Sequence, residues 1–206
     1  MKNLKLNFVA LAMLVFGVFV FTGCSESDVT EESVIKKENG FESLRLSFLN
    51  PIVVFEYASV EDIDKKLDEA LPMLLDDLNE EIREKKYSDV IAGLKFYNGR
   101  VIVSELVYFR DGDLVLEDSR YFDEKAGEYV PLSNGMEFTY NEIANGAACP
   151  HGYTNLGKCS NIGNTEECLG GLISGYLTKS LTSVGDCANV QVSVGLLNTT
   201  VCGKTC

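Results

Sequence analysis

The chain has 206 residues, with 18 Lys and Arg against 31 Asp and Glu, for a net charge of −13. It has one histidine, no tryptophan and seven cysteines. So acidic a surface repels phosphate polymers and argues against nucleic acid as a partner, while it keeps a protein soluble beside a membrane.

The first 23 residues carry the three regions of an export signal in order. Lys2 and Lys5 give a positive start, and Phe8 to Phe21 is apolar and uncharged. That run is shorter than the roughly 20 residues a spanning helix needs, so it reads as a cleavable signal over residues 1–23. It ends in Phe21-Thr22-Gly23-Cys24. Loss of Lys2 and Lys5 with the signal moves the net charge from −13 to −15.

Phe21-Thr22-Gly23-Cys24 resembles the lipobox of bacterial lipoproteins, with Phe21 where Leu is usual. The resemblance implies a diacylglycerol on the Cys24 thiol, cleavage before that residue and acylation, such as palmitate, of the new amino group. Two or three chains anchor stably, at about 0.8 kcal/mol per buried CH₂. Ser25 after the cysteine is similar to the residue that sends enterobacterial lipoproteins to the outer membrane. Residues 25–32, with Glu26, Asp28, Glu31 and Glu32, resemble the acidic export tags of surface lipoproteins in Bacteroidota, and equally read as a solvated tether. A lipid-anchored outer-membrane protein, leaning to the cell surface, is the expectation. The flexible stretch 24–40 reaches about 23 Å, enough to lift a domain off the headgroups.

Residues 41–140 read as an α+β domain. Leu44, Leu46 and Phe48 alternate with polar neighbours, and Ile52 to Phe55 follow the break at Asn50-Pro51. Ser59 and Asp62 stand at capping-box spacing. Ile63, Leu67, Leu71, Leu74, Leu78 and Ile82 then recur at helical spacing, with Pro72 expected to kink that helix or start a second one. Leu94 to Tyr97, Asn98-Gly99 and Val101 to Phe109 predict a hairpin on a type I′ turn. Asp111-Gly112 turns again before Leu114 to Phe122, and residues 123–127 turn into Tyr129-Val130. The result is an antiparallel meander packed on a helix, in the order β-α-β-β-β-β. This order resembles cystatin-like folds, although Tyr97-Asn98-Gly99-Arg100-Val101 is not the Gln-x-Val-x-Gly loop of that family. Such likeness implies fold rather than activity.

Small and polar residues from Asn141 to Ala148 read as a linker into a second, α/β module over 147–206. Lys158, Lys179 and Lys204 balance Glu166, Glu167 and Asp186 there, so the module is neutral. Its six cysteines, Cys149, Cys159, Cys168, Cys187, Cys202 and Cys206, are even in number on an exported chain, which predicts three disulfides of undetermined pairing. Their spacing lacks the close pairs of a zinc site, so no metal is expected. Acids at Glu166 and Glu167 start a helix whose apolar stripe is Leu169, Leu172, Ile173, Tyr176, Leu177 and Leu181. Cys168 is expected on the same buried side, and Gly171 and Gly175 are expected to admit a close neighbour. Val190, Val192 and Val194 alternate as a half-buried strand. The segment from Cys149-Pro150-His151-Gly152-Tyr153 to Cys206 resembles cysteine-rich tails of exported Bacteroidota proteins, which implies no particular activity.

No catalytic motif stands out. His151 sits in a turn beside a cysteine expected to be oxidised, with no nucleophile to activate. The carboxylates are dispersed over a helix and turns, unlike the facing pair of a glycosidase. The chain therefore reads as a non-enzymatic binding or adhesion module with a protein or carbohydrate partner. The alternative is an inhibitor or immunity-type lipoprotein that neutralises a secreted enzyme or toxin. No cofactor is expected beyond the covalent lipid on Cys24.

Overall fold

The computed structural model describes residues 51–132, 140, 143 and 148–206. The signal, Cys24, the acidic tether and the alternation at Leu44 to Phe48 lie outside the described residues, as does most of the expected linker. The described part is mixed α+β, with one antiparallel sheet of eight strands and two helices.

Strand β1 (Val53–Glu56) leads through a short 3₁₀ turn, Val60–Asp62, into helix α1 (Ile63–Lys85). The capping box forms as expected: the Ser59 N–H donates to Asp62 Oδ2 at 3.1 Å. Pro72 does not divide the helix, which runs unbroken through it. An interior proline loses its N–H hydrogen bond and crowds the carbonyl one turn back, about 3 kcal/mol in all, and this is offset by the face beneath: Leu67, Ala70, Leu71, Leu74, Leu75, Leu78 and Ile82 are all buried. Burial of about 2 kcal/mol per large apolar side chain outweighs one missing hydrogen bond.

The meander follows as β2 (Asp89–Tyr97), β3 (Arg100–Arg110), β4 (Asp113–Asp123) and β5 (Glu128–Pro131). Asn98 and Gly99 both take positive φ, 51° and 75°, as a type I′ turn requires. The second half adds β6 (Thr154–Ser160), helix α2 (Thr165–Ser180), β7 (Ala188–Gly195) and β8 (Asn198–Thr205). The strands lie in the order β5-β4-β3-β2-β7-β8-β6, and β1 pairs with β3 off that path.

The expected separation into residues 41–140 and 147–206 is therefore not what the structure displays. Strand β7 pairs with β2 from Asp89 opposite Gly195 to Phe96 opposite Ala188. One core contains Leu67, Leu71 and Leu78 of α1, Leu169, Ile173 and Leu177 of α2, and Val190, Val192 and Val194 of β7. The described residues belong to a single compact unit. The change in charge and cysteine content marks a change in how the two halves are held. The free edge of β2 still needed a partner, and β7 supplies it.

Both helices cover one face of the sheet. The α2 stripe is buried at Leu169, Ile173, Leu177 and Leu181, as expected. Two details differ. Cys168 is exposed, one residue off the stripe, while its partner Cys159 is buried. A side chain at Gly171 or Gly175 would meet nothing within 4 Å; a Cβ at Gly170 would lie in ordinary contact with α1, 3.5 Å from Asp68 and 3.8 Å from Leu71. The opposite face carries a smaller core of Ile91, Val107, Phe109, Leu132 and Tyr140.

The six cysteines close three disulfides: Cys149–Cys202, Cys159–Cys168 and Cys187–Cys206. They span 53, 9 and 19 residues of chain. The first ties Cys149, ahead of β6, to β8, the next pins the start of α2 to β6, and the last joins the start of β7 to Cys206.

Candidate functional site

Three connections converge at the end of the sheet marked by the β2–β3 turn. The chain leaving β1 passes under that turn, where the Tyr57 N–H donates to Gly99 O at 2.7 Å. From the other half comes the α2–β7 loop. Asp186 holds it by accepting from the Thr182 N–H at 2.7 Å, the Thr182 hydroxyl at 2.7 Å and the Ser183 N–H at 2.9 Å. These bonds, led by the Thr182 hydroxyl, hold the Asp186 carboxyl below its usual range. They also fix Val184 beside the turn: a Cβ on Gly99 would lie 3.0 Å from it and 2.9 Å from Tyr57 O.

Between these loops and the first turns of α1 lies an open cleft of about 920 Å³, lined by Glu56, Tyr57, Ala58, Asp62, Lys65, Lys66, Asn98, Gly99, Arg100 and Val184. Lys66 pairs with Glu69 at 3.9 Å. Lys65 and Arg100 form no ion pair with any described carboxylate. Asp62 is engaged by the capping box, and Glu56 is exposed. Tyr57 is only 4% exposed, and its hydroxyl has no hydrogen-bond partner among the described residues. Burial pushes its pKa above the usual tyrosine value, so it stays a neutral donor. A buried hydroxyl without a partner costs about 1–3 kcal/mol, and this one is enclosed rather than open to the cleft.

Arg100 also lines a second hollow of about 340 Å³ on the neighbouring sheet surface, with Pro51, Lys95, Tyr97, Ile102, Phe122, Glu124 and Gly127. Tyr97 stands directly opposite Arg100 across the strand pair and is 40% exposed. Lys95 forms an ion pair with Glu124, its ammonium 5.5 Å from the centre of the Tyr97 ring.

The second face of the sheet holds an unusual internal group. Glu105 on β3 and Gln191 on β7 flank Gly93 of β2 in one cross-strand row. A Cβ on Gly93 would overlap the Glu105 side chain, so the glycine is what lets that carboxyl lie across β2 toward Gln191. Glu105 accepts from the Tyr140 hydroxyl and from Gln191 Nε2, which also reaches the Tyr140 oxygen at 3.2 Å. Burial drives the Glu105 pKa up, and the two donors only partly oppose it. The one unpartnered acceptor beside it is Gln191 Oε1. Glu105 is 8% exposed, so this group fastens the Tyr140 stretch to the sheet and presents nothing to a ligand.

Of the residues singled out in the sequence, Cys24 lies outside the described residues. The six C-terminal cysteines come together as pairs, and His151 is exposed in a turn, away from the cleft. Sequence reading missed Tyr57, Lys65 and Arg100, because convergence of three loops leaves no local pattern; the Asn98-Gly99 turn beside Arg100 was the only signal. Among the described residues no group of three or more His, Cys, Asp or Glu gathers as a metal site, and no helix is long and apolar enough to cross a membrane. No family model, no curated protein and no solved structure matches this chain.

Proposed function

We propose that this chain is a lipid-tethered, non-catalytic binding module on the exported side of a bacterial outer membrane, with the cleft at the β2–β3 turn as its contact surface. One observation carries the reading. Lys65 and Arg100, which form no ion pair among the described residues, line one concavity together with Tyr57, held between a helix and two hydrogen-bonded turns. Binding groups on loops set by a rigid scaffold are what recognition sites are made of. The three disulfides suit an oxidising compartment, and Phe21-Thr22-Gly23-Cys24 supports the lipid anchor on Cys24. The order β-α-β-β-β-β over 53–131 supports the cystatin-like reading at the level of element order alone; pairing of β1 with β3 rather than β2 sets it apart.

Capture experiments with the intact chain and with Lys65→Ala/Arg100→Ala test the site. A ligand retained by the wild type and lost by the double variant supports it, while an identical bound set for both refutes it. A single tight enzyme partner in the bound set would favour the inhibitor or immunity reading. Cys24→Ser should abolish lipid labelling and membrane retention; a variant that stays with membranes after an alkaline wash refutes the anchor.

A further inference from the structure

We infer that the cleft takes a carboxylated oligosaccharide, gripped by Arg100 where the cleft and the adjoining hollow meet. This rests on the binding reading above and names its ligand class.

Arg100 is the first residue of β3, exposed, and shared by the two concavities. Its planar fork of donors matches a carboxylate in two parallel hydrogen bonds. On one side Lys65 adds a second unpaired cation. On the other, Tyr97 and Phe122 offer ring surface, with Tyr97 in direct cross-strand register. A pyranose has an apolar C–H face that rests on an aromatic ring and a hydroxyl rim that hydrogen-bonds. Glu56 and Asn98 supply acceptors for such hydroxyls at the cleft wall.

The same acceptors discriminate. A nucleic acid, with one charge per about 1.7 Å of duplex axis, would meet Glu56, Asp62 and the net charge of −13. A polyuronate carries one carboxylate per ring with neutral hydroxyls between, so the cations, the acceptors and the ring surface lining these two concavities each have a counterpart on it. An acidic peptide satisfies the cations and leaves the aromatic surface unused.

The test is calorimetric titration of the intact chain in detergent with oligogalacturonate, its methyl ester, a single-stranded oligonucleotide and an oligoglutamate peptide. Oligogalacturonate should bind, and the uncharged ester about tenfold or more weaker. Arg100→Ala and Lys65→Ala should each lose about tenfold, as expected for one charge-assisted contact. Tyr97→Ala should lose severalfold, and Lys158→Ala, on exposed β6, nothing. Equal binding of acid and ester, an unaffected Arg100→Ala, a preference for oligonucleotide or peptide, or no oligogalacturonate binding overturns the inference. If it falls while Lys65→Ala/Arg100→Ala still releases a captured partner, only the ligand class is wrong. If that double variant releases nothing, the binding reading falls as well.

Discussion

The two halves of the sheet reach the same end by different means. Strands β1 to β5 are joined by tight turns and a long helix, carry the acidic charge and hold no cysteine. Strands β6 to β8 belong to a neutral stretch closed by three disulfides. They nevertheless share β2·β7 pairing and one core. The difference teaches that cross-links and composition changes mark how a segment is restrained, not where a domain ends. The cleft follows the same logic. Its cations come from the first half, and Val184, which flanks the turn, comes from the second.

The strongest way to break this comparison is to separate the halves. Deleting residues 141–206 uncovers the β2 edge and the α1 face that α2 covers. The remaining fragment should fail to melt cooperatively. A helical, cooperative fragment by circular dichroism would restore the two-domain reading. Next in size are the staples. Replacing Cys149 and Cys202 together by Ser should cost about 4 kcal/mol, against about 2.5 kcal/mol for Cys159 and Cys168, because the first closes 53 residues and the second 9. Denaturant midpoints compare them, and a reversed ranking would contradict the chain-entropy account.

Smaller effects sharpen how the halves meet at Gly93. Gly93→Ala should cost about 1–3 kcal/mol by overpacking against Glu105, measured by urea unfolding; a neutral change would mean the carboxyl can swing away freely. Glu105→Gln probes protonation. A carboxyl whose pKa is raised in the fold binds its proton more tightly there than in the unfolded chain. Stability is therefore lost as pH rises above its ordinary value of 4.5, until the folded pKa is passed. Glu105 faces Tyr140 and Gln191, with Tyr153 nearby, and no described cation pairs with it. The stability of Glu105→Gln relative to wild type should therefore grow as pH rises above 4.5, by up to about 1.4 kcal/mol per pH unit until the raised pKa is passed. The unpartnered Gln191 Oε1 can accept from the new amide once Gln191 turns over. A difference that is flat with pH would show Glu105 ionised throughout.

Much of the local structure was legible. Asn98-Gly99 and Asp111-Gly112 both carry positive φ, and the leucine spacing of α1 and the α2 stripe marked the faces that are buried. Even cysteine number foretold disulfides, though not their partners. What escaped is nonlocal. Alternation in Val190-Gln191-Val192 says that one face is apolar, but not that the other is covered, and Gln191 is 2% exposed. Glu105, on the other strand of that row, is covered in the same way. A lone glycine inside β2 was the available sign that something crosses it. Pro72 starts no second helix, because tertiary burial on both sides of it keeps one helix continuous.

Hydrogen exchange on the intact oxidised chain tests the central claim most directly, since the β2 and β7 amides that face each other are paired only if the halves are one structure. The amides of Ile91 to Leu94 and of Val190 to Ser193 should exchange together, with one opening free energy equal to that of global unfolding. Earlier exchange of the 190–193 amides, with 91–94 still protected, would contradict it.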